Sequence, residues 1–343
     1  MSDELIDSVE QLDDVLSEPT PGVIETFSKF PGDLLILGVG GKMGPTLARM
    51  AVRASQEAGI KRRVIGVARF SNAELPAWLQ KHGIEPITCD LLVPKQLSGL
   101  PDAENIVAMP ALKFGSSDRP ADTWAVNCWL PANICQRYPT SRIVAFSTGN
   151  VYPLTPITRG GSVETDPLAP IGEYAASCVG RERIYDYFSR TAGTPISILR
   201  LNYACELRYG VLVDLARQIL AGEPIDLSMP AVNVIWQGDA NAIALQSLAH
   251  AASPSLILNI AGTETLRVRE LAAQLGNLLG KRLTFIGVEG PDALLSNSQL
   301  SQRLFGRLRI ATDQLLRWTA HWLKSGSPLL GKPTKFQVRD GKF

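Results

Sequence analysis

Histidine is scarce in this sequence, and the three present, His82, His250 and His321, stand far apart with no ligand spacing. No metal site is expected from them. Cysteine is nearly as rare. Cys89, Cys128, Cys135, Cys178 and Cys205 form an odd set without a Cys-x-x-Cys pair. That pattern argues against a disulfide framework or zinc site and fits a reducing compartment. No run approaches the ~20 apolar residues of a membrane helix, so no membrane partner is expected. Neither sign of charge dominates: 34 Lys and Arg face 33 Asp and Glu. A broad basic surface is excluded, and no nucleic-acid partner is expected. The chain begins with Asp3, Glu4, Asp7 and Glu10, the opposite of a secretory signal, which places it in the cytoplasm as an expectation. Internal repeats and low-complexity tracts are also missing.

What is present is 343 residues, 45% of them apolar, enough for one large or two medium domains. Short apolar runs at 33–37, 63–68, 84–89, 105–109, 142–147 and 196–200 read as strands. Helical patterns at 45–58, 73–82, 122–137 and 173–192 separate most of them. Such alternation predicts an α/β protein with a Rossmann-type, doubly wound parallel sheet. Residues 3–17 read as an amphipathic helix ended by Pro19 and Pro21. Past residue 200 the rhythm changes, with helical patterns at 211–221, 238–252 and 266–280. The expected division is an N-terminal extension at 1–30 and a dinucleotide-binding domain at 31–202, with 231–262 returning to it. A smaller, partly interleaved substrate lobe takes 203–230 and 263–343.

The first strand ends in Gly38-Val39-Gly40-Gly41-Lys42-Met43-Gly44. Gly38, Gly41 and Gly44 fall three apart, between a strand and a helix. Such a turn lets the chain reverse sharply, lets a phosphate approach the backbone, and lets the helix pack tightly. The new helix offers unpaired N–H groups to a diphosphate. The second strand ends at Ala68, followed by Arg69, where an acid would favour NAD and an arginine accommodates a 2′-phosphate. With Lys42 adding charge at the turn, NADP is favoured over NAD.

In these features the chain resembles the extended short-chain dehydrogenase/reductases, specifically the NAD-dependent epimerase/dehydratase family, from about residue 33 to 323. The resemblance implies Asp90 beside the adenine and Met109, within Ala108-Met109-Pro110-Ala111, beside the cofactor. It matches Asn127 to an asparagine of the next helix and Arg200-Leu201-Asn202 to the end of the sixth strand. Val234-Ile235-Trp236-Gln237-Gly238-Asp239-Ala240 is similar to the segment that usually reads Val-Asp-Asp-Val. Thr148 is then the hydroxyl that bonds the substrate oxygen, and Tyr174 the family's tyrosine, catalytic and in contact with the cofactor. Sugar 4,6-dehydratases carry an acidic pair directly after the threonine, where this chain has Gly149 and Asn150. A homodimer is also implied, pairing the helix of Trp124 and Trp129 with that of Tyr174.

One residue departs from the family. Tyr-x-x-x-Lys becomes Tyr174-Ala175-Ala176-Ser177-Cys178. The family's lysine favours the ionised tyrosine and holds the nicotinamide ribose. An unassisted tyrosine, with a pKa near ~10, is a poor base at neutral pH. Arg181 or Arg183 could restore the charge, Tyr174 could act as a neutral proton donor, or the protein could bind without turnover. A nucleophilic Cys178 is the least favoured reading, since a cysteine on a packed helix is usually inert. At the carboxyl ends of the strands, Asn150, Tyr203, Arg208 and Tyr209 are the expected substrate contacts. Trp318 and Trp322 are expected to pack the small lobe. The expected function is an NAD(P)-dependent oxidoreductase or epimerase on a small polar, sugar-derived molecule. The alternative is a dinucleotide-binding sensor or scaffold.

Overall fold

A computed structural model describes residues 5–342. Seven parallel strands form its central sheet: β1 (Leu34–Leu37), β2 (Val64–Ala68), β3 (Glu85–Thr88), β4 (Asn105–Ala108), β5 (Arg142–Thr148), β6 (Ile196–Leu201) and β7 (Leu256–Ile260). Their order is β7-β6-β5-β4-β1-β2-β3. Strands β1 and β4 are buried throughout, as expected where helices cover both faces. Six of the strands coincide with the apolar runs of the sequence, and β7 is an addition. The chain winds one way from β1 to β3 and the other way from β4 onward. The crevice of this doubly wound sheet therefore opens at the carboxyl ends of β1 and β4.

Two apolar clusters cover the faces of the sheet. A third lies in the smaller lobe, where Trp318 and Trp322 are buried with the helices Val211–Ala221 and Val268–Leu279. The N-terminal region differs from the sequence reading. Residues 1–4 lie outside the described residues, and the first helix runs only Val9–Leu16, capped by Ser8. Pro21 begins a second helix, Pro21–Lys29, instead of merely closing the first. Its missing N–H is no loss at a first helical position, and Thr20 caps the turn. The first helix buries Leu12 and Leu16 in the small lobe, and the second buries Val23 and Phe27 on the sheet.

Two other helices depart from expectation. The 122–137 pattern is broken by a π-helical turn, Ala125–Trp129, between Pro120–Trp124 and Leu130–Arg137. Trp124 and Trp129 are exposed, at 42% and 46%. The helix predicted at 238–252 ends at Gln246 and continues as a 3₁₀ turn to His250.

The helix after the glycine turn, Gly44–Glu57, packs directly beneath the strand it follows. A Cβ on Gly44 would lie 2.2 Å from the carbonyl oxygen of Val39. A Cβ on Gly41 would meet nothing closer than the Gly38 carbonyl oxygen at 3.5 Å. Gly44→Ala should therefore cost about 1–3 kcal/mol in urea unfolding, as overpacked sites do. Gly41→Ala should stay within about 0.5 kcal/mol of the parent. Equal losses at the two positions would contradict this reading of the turn.

Candidate active site

A cavity occupies the crevice where the winding reverses. The glycine turn contributes Gly38, Gly41, Lys42 and Met43 to its wall. The segment after β4 contributes Met109, Ala111 and Lys113, and β5 with its 3₁₀ turn contributes Thr148 and Asn150. Tyr174 and Arg181 face it from the helix Gly172–Ala192, and Tyr203 and Tyr209 from beyond β6.

Each glycine of the turn has a separable role. Gly38 has φ +81°, in the left-handed region, and a Cβ there would press on Pro110 at 3.1 Å. Gly44 is fixed by packing, as above. Gly41 is held by neither condition, so its small size serves the cavity it borders. No side chain caps the helix that follows, which leaves its first N–H groups available to an anion. Residues and cavity together fit a dinucleotide diphosphate.

At the far end two hydroxyls meet. Thr148 and Tyr174 are hydrogen-bonded, and Thr148 Oγ1 donates to Asn150 Oδ1 at 3.0 Å. Burial pushes the Tyr174 phenol far above the ordinary tyrosine range, with the adjacent Cys178 adding to it. At neutral pH Tyr174 is therefore a protonated donor. Cys178 is fully buried, and burial raises its thiol too. It is an uncharged small side chain, as the inert reading holds.

Arg181 is buried in the same wall. It donates to the Phe146 carbonyl at 2.9 Å and to Asn127 through both its backbone and side-chain oxygens. Arg183 is exposed and takes no part. At Gly149 a Cβ would lie 2.9 Å from Ser296 Oγ and 3.1 Å from the Asn202 side chain, so a larger residue there requires those side chains to shift.

Four expected site residues do not border the cavity: Gly44, which packs beneath the turn, and Arg208, Arg69 and Asp90. Arg208 does not line the cavity but pairs with Glu206 at 3.1 Å and Asp13 at 3.0 Å, tying the N-terminal helix to the small lobe. Arg69 is exposed beyond the end of β2, and Asp90 accepts from the Leu92 N–H at 3.0 Å; neither borders the cavity. Lys42 reaches toward the small lobe, its Nζ 3.1 Å from the centroid of the Tyr209 ring. The sequence reading missed Lys113 and Thr334, which both line the cavity. Lys113 follows the small apolar stretch after β4, where a basic residue within five positions of the strand end was a usable signal. Thr334 lies in an irregular C-terminal stretch with no pattern to flag it.

The charged groups of the cavity wall are Lys42, Lys113 and Arg181, with no acid among the described residues. Burial, then the charges of Lys332 and Lys113, hold the Lys42 ammonium down to about 7. Burial holds Lys113 down to about 8. The unfolded chain keeps these protons to higher pH, so the folded protein gains stability as pH rises from about 7 toward the ordinary lysine range. Lys42→Met should therefore raise the urea midpoint at pH 6–7, and the gain should shrink steadily toward pH 10. A gain independent of pH would mean that Lys42 is already well solvated.

The model of the NAD dependent epimerase/dehydratase family matches residues 34–242. No curated protein sequence matches significantly. Among solved structures, the fold is similar to the dTDP-glucose 4,6-dehydratase DesIV of Streptomyces venezuelae, at TM-score 0.72 and 20% identity over 85% of this chain and 97% of that one. It is similar to a dTDP-glucose 4,6-dehydratase of Bacillus anthracis, at TM-score 0.70 and 18% identity over 85% and 96%. It is also similar to a UDP-glucose 4-epimerase of Thermotoga maritima, at TM-score 0.69 and 17% identity over 86% and 99%.

Proposed function

The chain belongs to the NAD dependent epimerase/dehydratase family, and on that premise we propose that it binds a nicotinamide dinucleotide along the glycine turn. We read it as an oxidoreductase or epimerase acting on a hydroxyl or carbonyl of a small polar, sugar-derived substrate. One observation carries the reading. A single cavity runs from Gly41, whose smallness the protein itself does not need, to the paired hydroxyls of Thr148 and Tyr174.

Gly38, Gly41, Lys42 and Met43 would hold the diphosphate, and Met109 would border the ring system. When bound, the nicotinamide gives or takes a hydride at the substrate carbon, while the substrate oxygen gains or loses a proton. This chain's part is to hold that oxygen and move that proton. Thr148 hydrogen-bonds the oxygen, and the protonated Tyr174 donates to it. Tyr174 supplies that proton when a carbonyl is reduced, and the nearby Arg181 charge offsets part of the cost of the negative charge left on its oxygen. Asn150, Tyr203 and Tyr209 form the rest of the substrate wall.

NADP is the favoured cofactor, on the strength of Arg69 beside the end of β2. The exposed Trp124 and Trp129 support pairing of two copies through that face. Among the described residues no helix is long and apolar enough to cross a membrane, and the five cysteines are free. The second reading, a dinucleotide sensor without turnover, draws on one fact: an uncharged thiol stands where the family has its lysine.

Calorimetric titration with the oxidised and reduced forms of NAD and NADP should give micromolar or tighter binding of one pair. Gly41→Val should weaken it at least about 100-fold while leaving the unfolding midpoint unchanged. Loss of the hydroxyl in Tyr174→Phe or Thr148→Ala should lower kcat by about 10²–10³, the usual scale for removing such a donor. Arg69→Ala should weaken NADP⁺ more than NAD⁺. No binding of any of the four forms would end the proposal. Turnover that appears only in Cys178→Lys would favour the sensor.

A further inference from the structure

The missing lysine leaves a question that the cavity itself addresses. In the family's sequence pattern the cation comes from the tyrosine's own helix, four residues along, and here that position is Cys178. We propose that Lys113, from the loop after β4, supplies the displaced cation, occupying the place beside Tyr174 that a lysine at position 178 would fill. The inference rests on the dinucleotide reading above and deepens it.

Three observations converge. First, Lys113 Nζ lies 5.6 Å from the centroid of the Tyr174 ring, within cation–π range. Second, Lys113 and Cys178 each feel the other's charge state, so the ammonium sits in the electrostatic neighbourhood of the replaced residue. Third, the loop is pinned where this contact can form. Asn127 accepts from the Leu112 N–H at 3.1 Å and donates to the Leu112 carbonyl at 3.3 Å. The same amide donates to Ser177 Oγ at 2.8 Å, one residue before Cys178. Lys113 is thus the neighbour of a residue that is bolted, through Asn127, to the tyrosine helix.

The alternatives named from sequence fit less well. Arg183 is exposed. Arg181 is buried at 3% exposure, and three of its nitrogens are engaged with Asn127 and the Phe146 carbonyl. It shares the cavity wall with Tyr174 and eases ionisation of the phenol, but its nitrogens are already committed to those oxygens. Lys113 lines the same cavity, and its ammonium would donate to a ribose hydroxyl. Among the described residues the groups near it are Tyr174 and Cys178 from the helix, Lys42 from the glycine turn, Lys335 from the C-terminal stretch and the adjacent Phe114 ring.

Two measurements test this. In calorimetry, Lys113→Met should weaken the better-bound dinucleotide about tenfold, the scale of one charge-assisted hydrogen bond. It should leave ADP, which lacks the nicotinamide ribose, unchanged. Adding Cys178→Lys to that variant should recover most of the loss, and Lys113→Arg should lose less than Lys113→Met. Equal dinucleotide affinity in Lys113→Met and parent, or an equal loss for ADP, would overturn the assignment. The second measurement needs no cofactor. The pH midpoint for acetylation of Lys113, followed by mass spectrometry, should fall by at least about one unit in Cys178→Lys, because a second ammonium would crowd the first. An unmoved midpoint would show that the two positions do not share a space. If the parent protein binds neither NAD nor NADP, the proposed function fails, and the acetylation result still decides the placement of Lys113.

Discussion

A guanidinium buried in the cavity wall joins three parts of this chain that lie far apart in sequence. Arg181 reaches from the Gly172–Ala192 helix to the carbonyl of Phe146 in β5 and to Asn127 in the π-helical turn. Asn127 in turn holds both backbone polar groups of Leu112 and the hydroxyl of Ser177. A buried charge of this kind is tolerable only when its donors are met. Meeting them fixes the distance between β5, the tyrosine helix and the loop after β4. The π turn Ala125–Trp129 carries Asn127, and such bulges are common at functional sites. A second buried pair supports the same helix from further along. Arg200 in β6 donates to both oxygens of Glu182, the closer contact being 2.7 Å, and to the Tyr152 hydroxyl at 2.6 Å.

These anchors matter because the cavity they shape has an unusual charge balance. Its wall carries cations and, among the described residues, no acid, and Lys42 and Lys113 each meet a cost of burial. Positive charge so placed favours an anion or a developing negative charge nearby. The same burial keeps Tyr174 protonated. The cations and the protonated Tyr174 hydroxyl thus share one wall. Lys42 shows how the lobes cooperate in this. It rises from the glycine turn of the sheet, yet its ammonium rests over Tyr209 of the segment beyond β6.

Much of the fold was legible because it follows from periodicity and turn chemistry. Six strands could be read as short apolar runs, and the glycine spacing located the crevice. β7 was harder: Leu256–Ile260 adds to the sheet edge beside β6, and its outer residues are only partly buried. The second N-terminal helix was not foreseen because Pro21 was read only as a stop, although proline at a first helical position is equally a start. Site residues close to a strand end were the readable ones. Thr148, Asn150, Tyr203 and Tyr209 all border the cavity. Arg208 lies between the last two but turns outward, because Glu206 and Asp13 offer it an ion pair that sequence separation hides: Asp13 is 195 residues away. Lys113 was overlooked because family resemblance directs attention to position 178 itself, while the compensation comes from another element.

That compensation bears on why a cysteine should stand at position 178 at all. The site is fully buried, and a Cβ–Sγ stub fills it with no donor left to satisfy. A lysine there, together with Lys113, would place two ammonium groups around one tyrosine, next to Lys42 and Arg181. In a low-dielectric pocket such crowding drives one amine to lose its proton. With Arg181 already in the wall, one further ammonium beside Tyr174 is easier to hold than two, and either position can supply it. A thiol at 178 and an amine at 113 are therefore linked choices, each tolerable because of the other. On this view the departure from Tyr-x-x-x-Lys moves the charge and does not delete it. The loop that carries it is held by Asn127, so the moved charge is no less fixed than one on the helix.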